Sequence, residues 1–394
     1  MTAFTTKDSS TRCSTFSTAD GCEETFFSII TPQGLSFSEA LAELSSSYSS
    51  ALLRAGLSDA TAVFSRIFLS DILNQKSSLL NSALYNRLRS CCALSVIEQK
   101  PVEGGPVAML SYHLQRPGGP FEKVFLDEPL DGWRSDVLVK GNNYSFLWTA
   151  NHTGGDRFDA YAQTKAIFDS YNVLLAGRSM TLLENCVRTW IYVRDVDNHY
   201  KSMVRARREY FSANGLTDNT RFIASTGILG IAHEPEKIVS MDSLSIGGLS
   251  ADQIVRMEAP SHLSPTILYG VTFERGLRVR FGGRSHLHIS GTASIDNKGE
   301  VLHLGDAEAQ TRRTIENVRA LLDAQGAVLD DMAYFIAYVR NAHDRFIVRK
   351  VLQELLGEKT PLIFVEAAVC RPAWLVELEG TAIIADKNDF PSFP

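Results

Sequence analysis

The chain has 394 residues, 44% of them hydrophobic and 21% charged, and its net charge is −6. This length leaves room for two or three compact domains, each with its own core. The acidic balance argues against a nucleic-acid surface, and no apolar run approaches the ~18 residues that a membrane span needs. Six cysteines at 13, 22, 91, 92, 186 and 370 form no CxxC pair, which suits a reducing cytoplasm better than a disulfide framework.

From the N-terminus, the first twenty residues are half Ser and Thr without an apolar h-region, so residues 1–23 read as a disordered tail. Residues 38–71 then introduce a pattern that returns at 161–195 and at 309–341. Each copy has an amphipathic helix, a Gly stop, a short loop and a strand rich in β-branched and aromatic residues. The helical stripes are Leu41, Leu44, Tyr48 and Leu52, then Ile167, Tyr171 and Leu174, then Ile315, Val318 and Leu322. Gly56, Gly177 and Gly326 are expected to end these helices with positive φ. The strands are expected to finish at Asp71, Asp195 and Asn341.

A second helix and two closing strands follow each copy, and opening strands precede the second (YSFLWTANHT) and third (LHISGTASID). The spacing predicts three α+β units at 24–116, 143–245 and 263–388, with helices on one side of a mostly antiparallel sheet. Three such units can close around a pseudo-threefold axis as a monomeric pseudotrimer, leaving clefts between units for ligands.

The last strand raises a specific question. In VCRPAWLVELEGTAII, strand alternation puts Leu375, Glu377 and Glu379 on one face, opposite Trp374, Val376 and Leu378. If that face meets a neighbouring unit, Glu377 is removed from water and should hold a proton near neutral pH. Other features carry less chemistry. His286 and His288 share a strand face, but no third ligand stands at a recognisable spacing, so no metal is expected. The basic run 204–211 (VRARREYF) reads as the exposed side of a helix, and nothing in the sequence implies a cofactor.

AQT at the helix start, YVRD at the strand end and VELE in the last strand resemble the RidA/YjgF (endoribonuclease L-PSP-like) superfamily, trimers of one such unit with sites at subunit interfaces. Within residues 186–380, VRTWIYVRD, YGVTFERG, SGTASID, HLGD and CRPAWLVELEG resemble the chorismatase branch. That resemblance implies cleavage of the enolpyruvyl ether of chorismate or a related carboxylated enol ether, without cofactor. It implies Glu377 as general acid, and Cys370 where the hydroxybenzoate-forming enzymes carry a cysteine. It further implies Arg188, Arg275, Tyr269, Gly291, Thr292 and His303 as substrate contacts. Two departures are YGV for the family's YGP and DNKGEVLH after SGTASI, which leaves only His303 before Gly-Asp. RidA-type deaminases hold the substrate carboxylate with an arginine on the penultimate strand. The matching positions here are Leu362, Ser225 and Leu94, which places imine deamination second and a non-catalytic metabolite-binding pseudotrimer third.

Overall fold

One strand order is used three times, and each time a pair of helical segments covers the same face of the sheet. The computed structural model describes residues 2–5, 11–126, 133–155, 158–266 and 270–394. The first unit has strands β1 (Thr2–Thr5), β2 (Thr11–Ser17) and β3 (Glu23–Ile30), helix α1 (Phe37–Ala55), β4 (Ala62–Leu69), helices α2 (Ile72–Leu80) and α3 (Ala83–Arg89), β5 (Ala93–Glu98), β6 (Lys100–Pro101) and β7 (Val107–Gln115). The second has β8 (Glu122–Phe125), β9 (Ser135–Lys140), β10 (Ser145–Thr153), α4 (Ala160–Ala176), α5 (Leu182–Asn185), β11 (Cys186–Val193), α6 (Val196–Ala213), β12 (Ala224–Leu229) and β13 (Val239–Gly247). The third has β14 (Ile254–Arg256), β15 (Gly276–Phe281), β16 (Gly283–Ala293), α7 (Ala307–Asp323), β17 (Met332–Val339), α8 (Arg345–Leu356), β18 (Leu362–Glu366) and β19 (Val376–Asp386).

The shared sheets run β3-β7-β4-β5, β10-β13-β11-β12 and β16-β19-β17-β18. In each, only the last pair is parallel. Each strand predicted to end at Asp71, Asp195 or Asn341 stops two residues earlier, and the helices α1, α4 and α7 occupy the predicted segments.

Two expectations are corrected here. Thr11–Ser17, placed in a disordered tail, is a strand paired with β3, with Cys13 and Phe16 buried and Ser14 Oγ donating to the Ala333 carbonyl of the third unit at 2.5 Å. Its Ser/Thr-rich composition imitates disorder because the apolar surface it needs comes from elsewhere in the chain. Gly177 stays at φ −63, and the left-handed residue after α4 is Ser179 at φ 55.

The faces turned away from the helices meet in one central core. Phe26 stacks on Tyr112 at 4.6 Å, Phe64 on Trp148 at 4.7 Å, and Trp148 lies 6.3 Å from Trp190. Such ring pairs contribute about 0.5–1.5 kcal/mol each beyond their burial.

Three buried ion pairs run in one cyclic sense through this core. Arg66 of the first unit meets Asp242 of the second at 2.9 Å. Arg188 of the second meets Glu379 of the third at 2.6 Å. Arg284 of the third returns to Glu24 of the first at 2.6 Å. Desolvation offsets much of the attraction in such pairs. Their value lies in registration, since a slip of any unit strands a buried charge. The ring also closes through the backbone, because β6 of the first unit adds to the edge of β18 in the third.

Candidate functional site

Between the second and third units lies a narrow cleft, with about 30 Å³ of free volume, whose lining includes Glu377, Arg275, Arg207, Cys370, Tyr200 and Trp374. The local sequence explains how Glu377 arrives there. The AQT glutamine, Gln310, accepts from Leu375 N–H at 2.8 Å and donates to the Ala373 carbonyl at 2.9 Å, pinning the turn that enters β19. This turn interrupts strand alternation before Val376. Trp374 therefore lines the same cleft as Glu377, where strict alternation had put it on the opposite face. Its indole N–H donates to the Ser294 carbonyl at 3.2 Å.

Register identifies this cleft as the singular one. Glu377 pairs with Tyr338, Ser240 pairs with Tyr192 at the equivalent place in the second unit, and Ala108 pairs with Phe68 in the first. Only one of three equivalent positions carries a carboxylate. The β-bulge between Ile289 and Thr292 sets Gly291 against it, and a Cβ at Gly291 would collide with Glu377 Oε1. The bulge in β10 carries Asn151 at φ 58 instead. Its side chain donates to the Leu94 and Trp133 carbonyls and accepts from Val96 N–H, so the first-to-second-unit cleft is stoppered. Gly291→Ala is accordingly expected to push the Glu377 carboxyl aside and lower kcat about 10²-fold, the scale of a misplacement near 1 Å. Turnover assays beside a thermal melt check this.

Glu377 is 4% exposed. Burial first, and then the neighbouring Glu379 charge, raise its pKa to about 8, against smaller opposing pulls from Arg188 and Arg275. Glu379 is held differently. It accepts from Arg188 at 2.6 Å, from the Trp190 indole at 2.8 Å, from the Tyr338 hydroxyl at 3.0 Å and from Thr226 Oγ1. Two carboxyl groups on one strand face are thus held differently, Glu379 saturated by donors and Glu377 beside a cleft with its pKa raised.

The predicted contacts separate accordingly. Arg275 lines the cleft with Glu377, its Nε and Nη2 donating to the Ser264 carbonyl at 3.1 and 3.0 Å. Cys370 also lines it, with its thiol pushed up to about 12 by burial and by Glu377, so it stands as a neutral thiol beside Tyr200. Arg188 is spent through Nη2 on Glu379 and Thr226 and is not among the residues lining the cleft, which differs from the expected ligand contact. Gly291 does line the cleft, with its amide donating to Thr226 Oγ1 at 3.0 Å and its lack of a Cβ leaving room for the Glu377 carboxyl. Thr292 is fully buried, with its hydroxyl on the Ser290 carbonyl, and lies off the cleft. His303 is exposed in the turn before α7 at φ 59, where its carbonyl accepts from Gln310. Tyr269 lies outside the described residues.

Sequence reasoning missed Arg207. Read as solvent-facing, it is 1% exposed, with Nη1 at 3.4 Å from Ser225 Oγ. Its Nε and Nη2 have no hydrogen-bond partner among the described residues. A signal existed: in α6 the stripe Val196, Met203, Val204, Arg207 and Phe211 is buried, so the arginine interrupts an apolar face. Ser225 pairs beside Thr189 as Leu362 does beside Phe335 and Leu94 beside Ser65, confirming these three as equivalent positions. A helix of the second unit thus brings a guanidinium to one of the three places where the strand itself has none.

Comparisons with known proteins agree with this architecture. Residues 280–384 match the endoribonuclease L-PSP family. Over 97 residues, 24% of the chain and 77% of the relative, the sequence is 29% identical to the 3-aminoacrylate deaminase RutC of Acinetobacter baylyi. A chorismatase crystal structure superposes on 91% of the chain and 98% of its own length, with a TM-score of 0.62 at 19% identity. A putative endoribonuclease from Thermotoga maritima aligns with 33% of the chain and 97% of its own, at 23% identity and a TM-score of 0.29. The third unit thus carries the match to the endoribonuclease L-PSP family, and the three units together have the fold of a chorismatase.

Proposed function

We propose that the chain is a chorismatase-like enzyme that cleaves the enolpyruvyl ether of chorismate or a related carboxylated enol ether and releases pyruvate. The observation that carries this reading is one pairing of groups in one cleft: a carboxyl that keeps its proton near neutrality, Glu377, and a buried guanidinium with unclaimed donors, Arg207. A vinyl ether needs an acid at its carbon, and a carboxylated substrate needs a cation to hold it.

In this reading Glu377 gives its proton to the terminal methylene carbon, which becomes a methyl group. The ether-bearing carbon is left electrophilic, and water adds there, its proton returning to the Glu377 carboxylate. Collapse of the hemiketal breaks the bond to the ring oxygen and yields pyruvate and the ring alcohol. Arg207 holds a substrate carboxylate, Arg275 supports the anion beside the acid, and Cys370 donates as a thiol rather than attacking as a thiolate. General acid catalysis of this kind supplies roughly 10²–10⁴-fold.

Purified protein incubated with chorismate, with pyruvate followed by lactate dehydrogenase coupling, tests the reading; no pyruvate above the uncatalysed rate would overturn it. Arg207→Leu is expected to raise KM by roughly 10–150-fold, the equivalent of a charge-assisted hydrogen bond of about 1.5–3 kcal/mol. A change confined to kcat would remove Arg207 from substrate binding. The placement of Arg207 against Ser225 also favours a second reading, an enamine/imine deaminase with its anion-binding arginine relocated. Ammonia release from an enamine substrate, without pyruvate from chorismate, would select it.

A further inference from the structure

The internal repeat places a counterpart of the Glu377 cleft between the third and first units, and register fixes the correspondence. Ser290 Oγ accepts from Ser225 N–H at 2.9 Å, and Ser28 Oγ accepts from Leu362 N–H at 3.1 Å. Ala293 pairs with Glu377 as Ile30 pairs with Ala108. Gly227, two residues past Ser225, lines the first cleft, and Phe364, two past Leu362, lines the second. Tyr200 lies seven residues past Val193, the end of β11, and Phe346 seven past Val339, the end of β17; each lines its own cleft.

The second cleft is the roomier, with about 460 Å³ of free volume against about 30 Å³. That lies within the range of small-molecule sites, roughly 300–1,000 Å³. Its chemistry is different. Ala108 holds the place of Glu377, so no acid is repeated there, and Leu362 puts no arginine on the strand.

The charges come from α8 and from the turn after β6. Arg345 and Arg349 stand one turn apart on α8, at the i, i+4 spacing that brings side chains together. The Arg345 guanidinium lies over the Phe346 ring at 4.2 Å, with Nη1 donating to the Ala342 carbonyl at 3.0 Å. Arg349 Nε meets Glu103 at 2.7 Å. Glu103 is held in place by its own backbone: Val102 N–H donates to the Phe364 carbonyl at 3.1 Å, and Gly104, at φ 73, leaves no room for a Cβ against the Thr31 carbonyl. Among the described lining residues Glu103 is the one carboxylate facing two guanidinium groups, which leaves one positive charge over. Like charges at i, i+4 repel, and an anion between them relieves the repulsion. The apolar wall is Phe346, 68% exposed, with Phe364, Val102 and Pro32. An open phenyl ring in a pocket gains by burial against a flat guest.

We infer that this cleft is a second, non-catalytic site for a small aromatic carboxylate. The single negative charge matches the surplus cation, with N–H donors of Arg345 and Arg349 on the carboxylate and the ring packed on Phe346. The inference does not depend on the proposed reaction, because the two clefts share no residue among those described as lining them.

Titration calorimetry of the full chain with benzoate tests it. Saturable binding is expected, at least about tenfold tighter than benzamide, which keeps the ring without the charge, or acetate, which keeps the charge without the ring. Arg345→Gln and Phe346→Ala should each weaken benzoate by about tenfold or more, and Glu377→Gln should leave it unchanged. Both altered side chains reach solvent, and thermal melts check that the variants fold. Crystals of the unaltered protein soaked in 4-bromobenzoate should show a bromine anomalous peak beside Phe346. Benzoate no tighter than benzamide or acetate, binding undiminished in Arg345→Gln, or a bromine peak absent from this cleft would each overturn the assignment; none of these outcomes bears on pyruvate release from chorismate.

Discussion

Glu377→Gln is expected to fold as the parent does and to lose turnover by 10²–10⁴-fold, the contribution of a positioned general acid. The amide matches the shape of the protonated carboxyl, so packing against Gly291 and Trp374 is kept while the transferable proton is lost. The pH dependence has a definite sign. Activity requires the protonated form, so kcat should fall as pH rises through about 8. Stability follows the same group. Its folded pKa lies above the ordinary 4.5, so the folded state binds this proton more tightly than the unfolded chain. The contribution is complete below the unfolded value and is lost as pH climbs from 4.5 to about 8. Glu377→Gln, which never ionises, should therefore gain stability relative to the parent as pH rises across that window. Urea melts at pH 5 and pH 9 check this; an equal difference at both would contradict a buried, proton-bearing Glu377.

Glu379→Leu is expected to cost about 3–5 kcal/mol, the scale for breaking a buried pair from one side. Four donors converge on this carboxylate, and Arg188 would remain in the core, 1% exposed, with its charge uncompensated. Pairing the change with Arg188→Leu should recover the part of the loss that comes from the stranded charge, leaving the cost of the Trp190, Tyr338 and Thr226 donors. Denaturant midpoints of the two single variants and the double variant measure the coupling. Additive losses would mean that the pair is not the connection between the second and third units described above.

Much of this architecture was legible because two periodicities alternate three times in the chain. Stripes at 3.6-residue spacing followed by β-branched runs marked α1, α4 and α7 and the strands after them, and VELE marked a face with two acids. What escaped were features decided by residues far apart. Arg188 was expected to meet a ligand, but its partner Glu379 lies 191 positions on, and no local pattern announces it. The bulge that aims Gly291 at Glu377 exists only against β19. The strand Thr11–Ser17 owes its order to β3 and to the third unit. Arg207 is the instructive omission: charge was taken as a sign of exposure, although its place on the buried stripe of α6 argued the reverse.

The most direct measurement is the ionisation of Glu377 itself, followed as the carboxyl band in infrared difference spectra between the parent and Glu377→Gln. The structure predicts a midpoint at about 8, shifted down when the neighbouring charge is removed in Glu379→Gln. A midpoint close to 4.5, unmoved by that substitution, would show a solvated carboxylate and contradict the site.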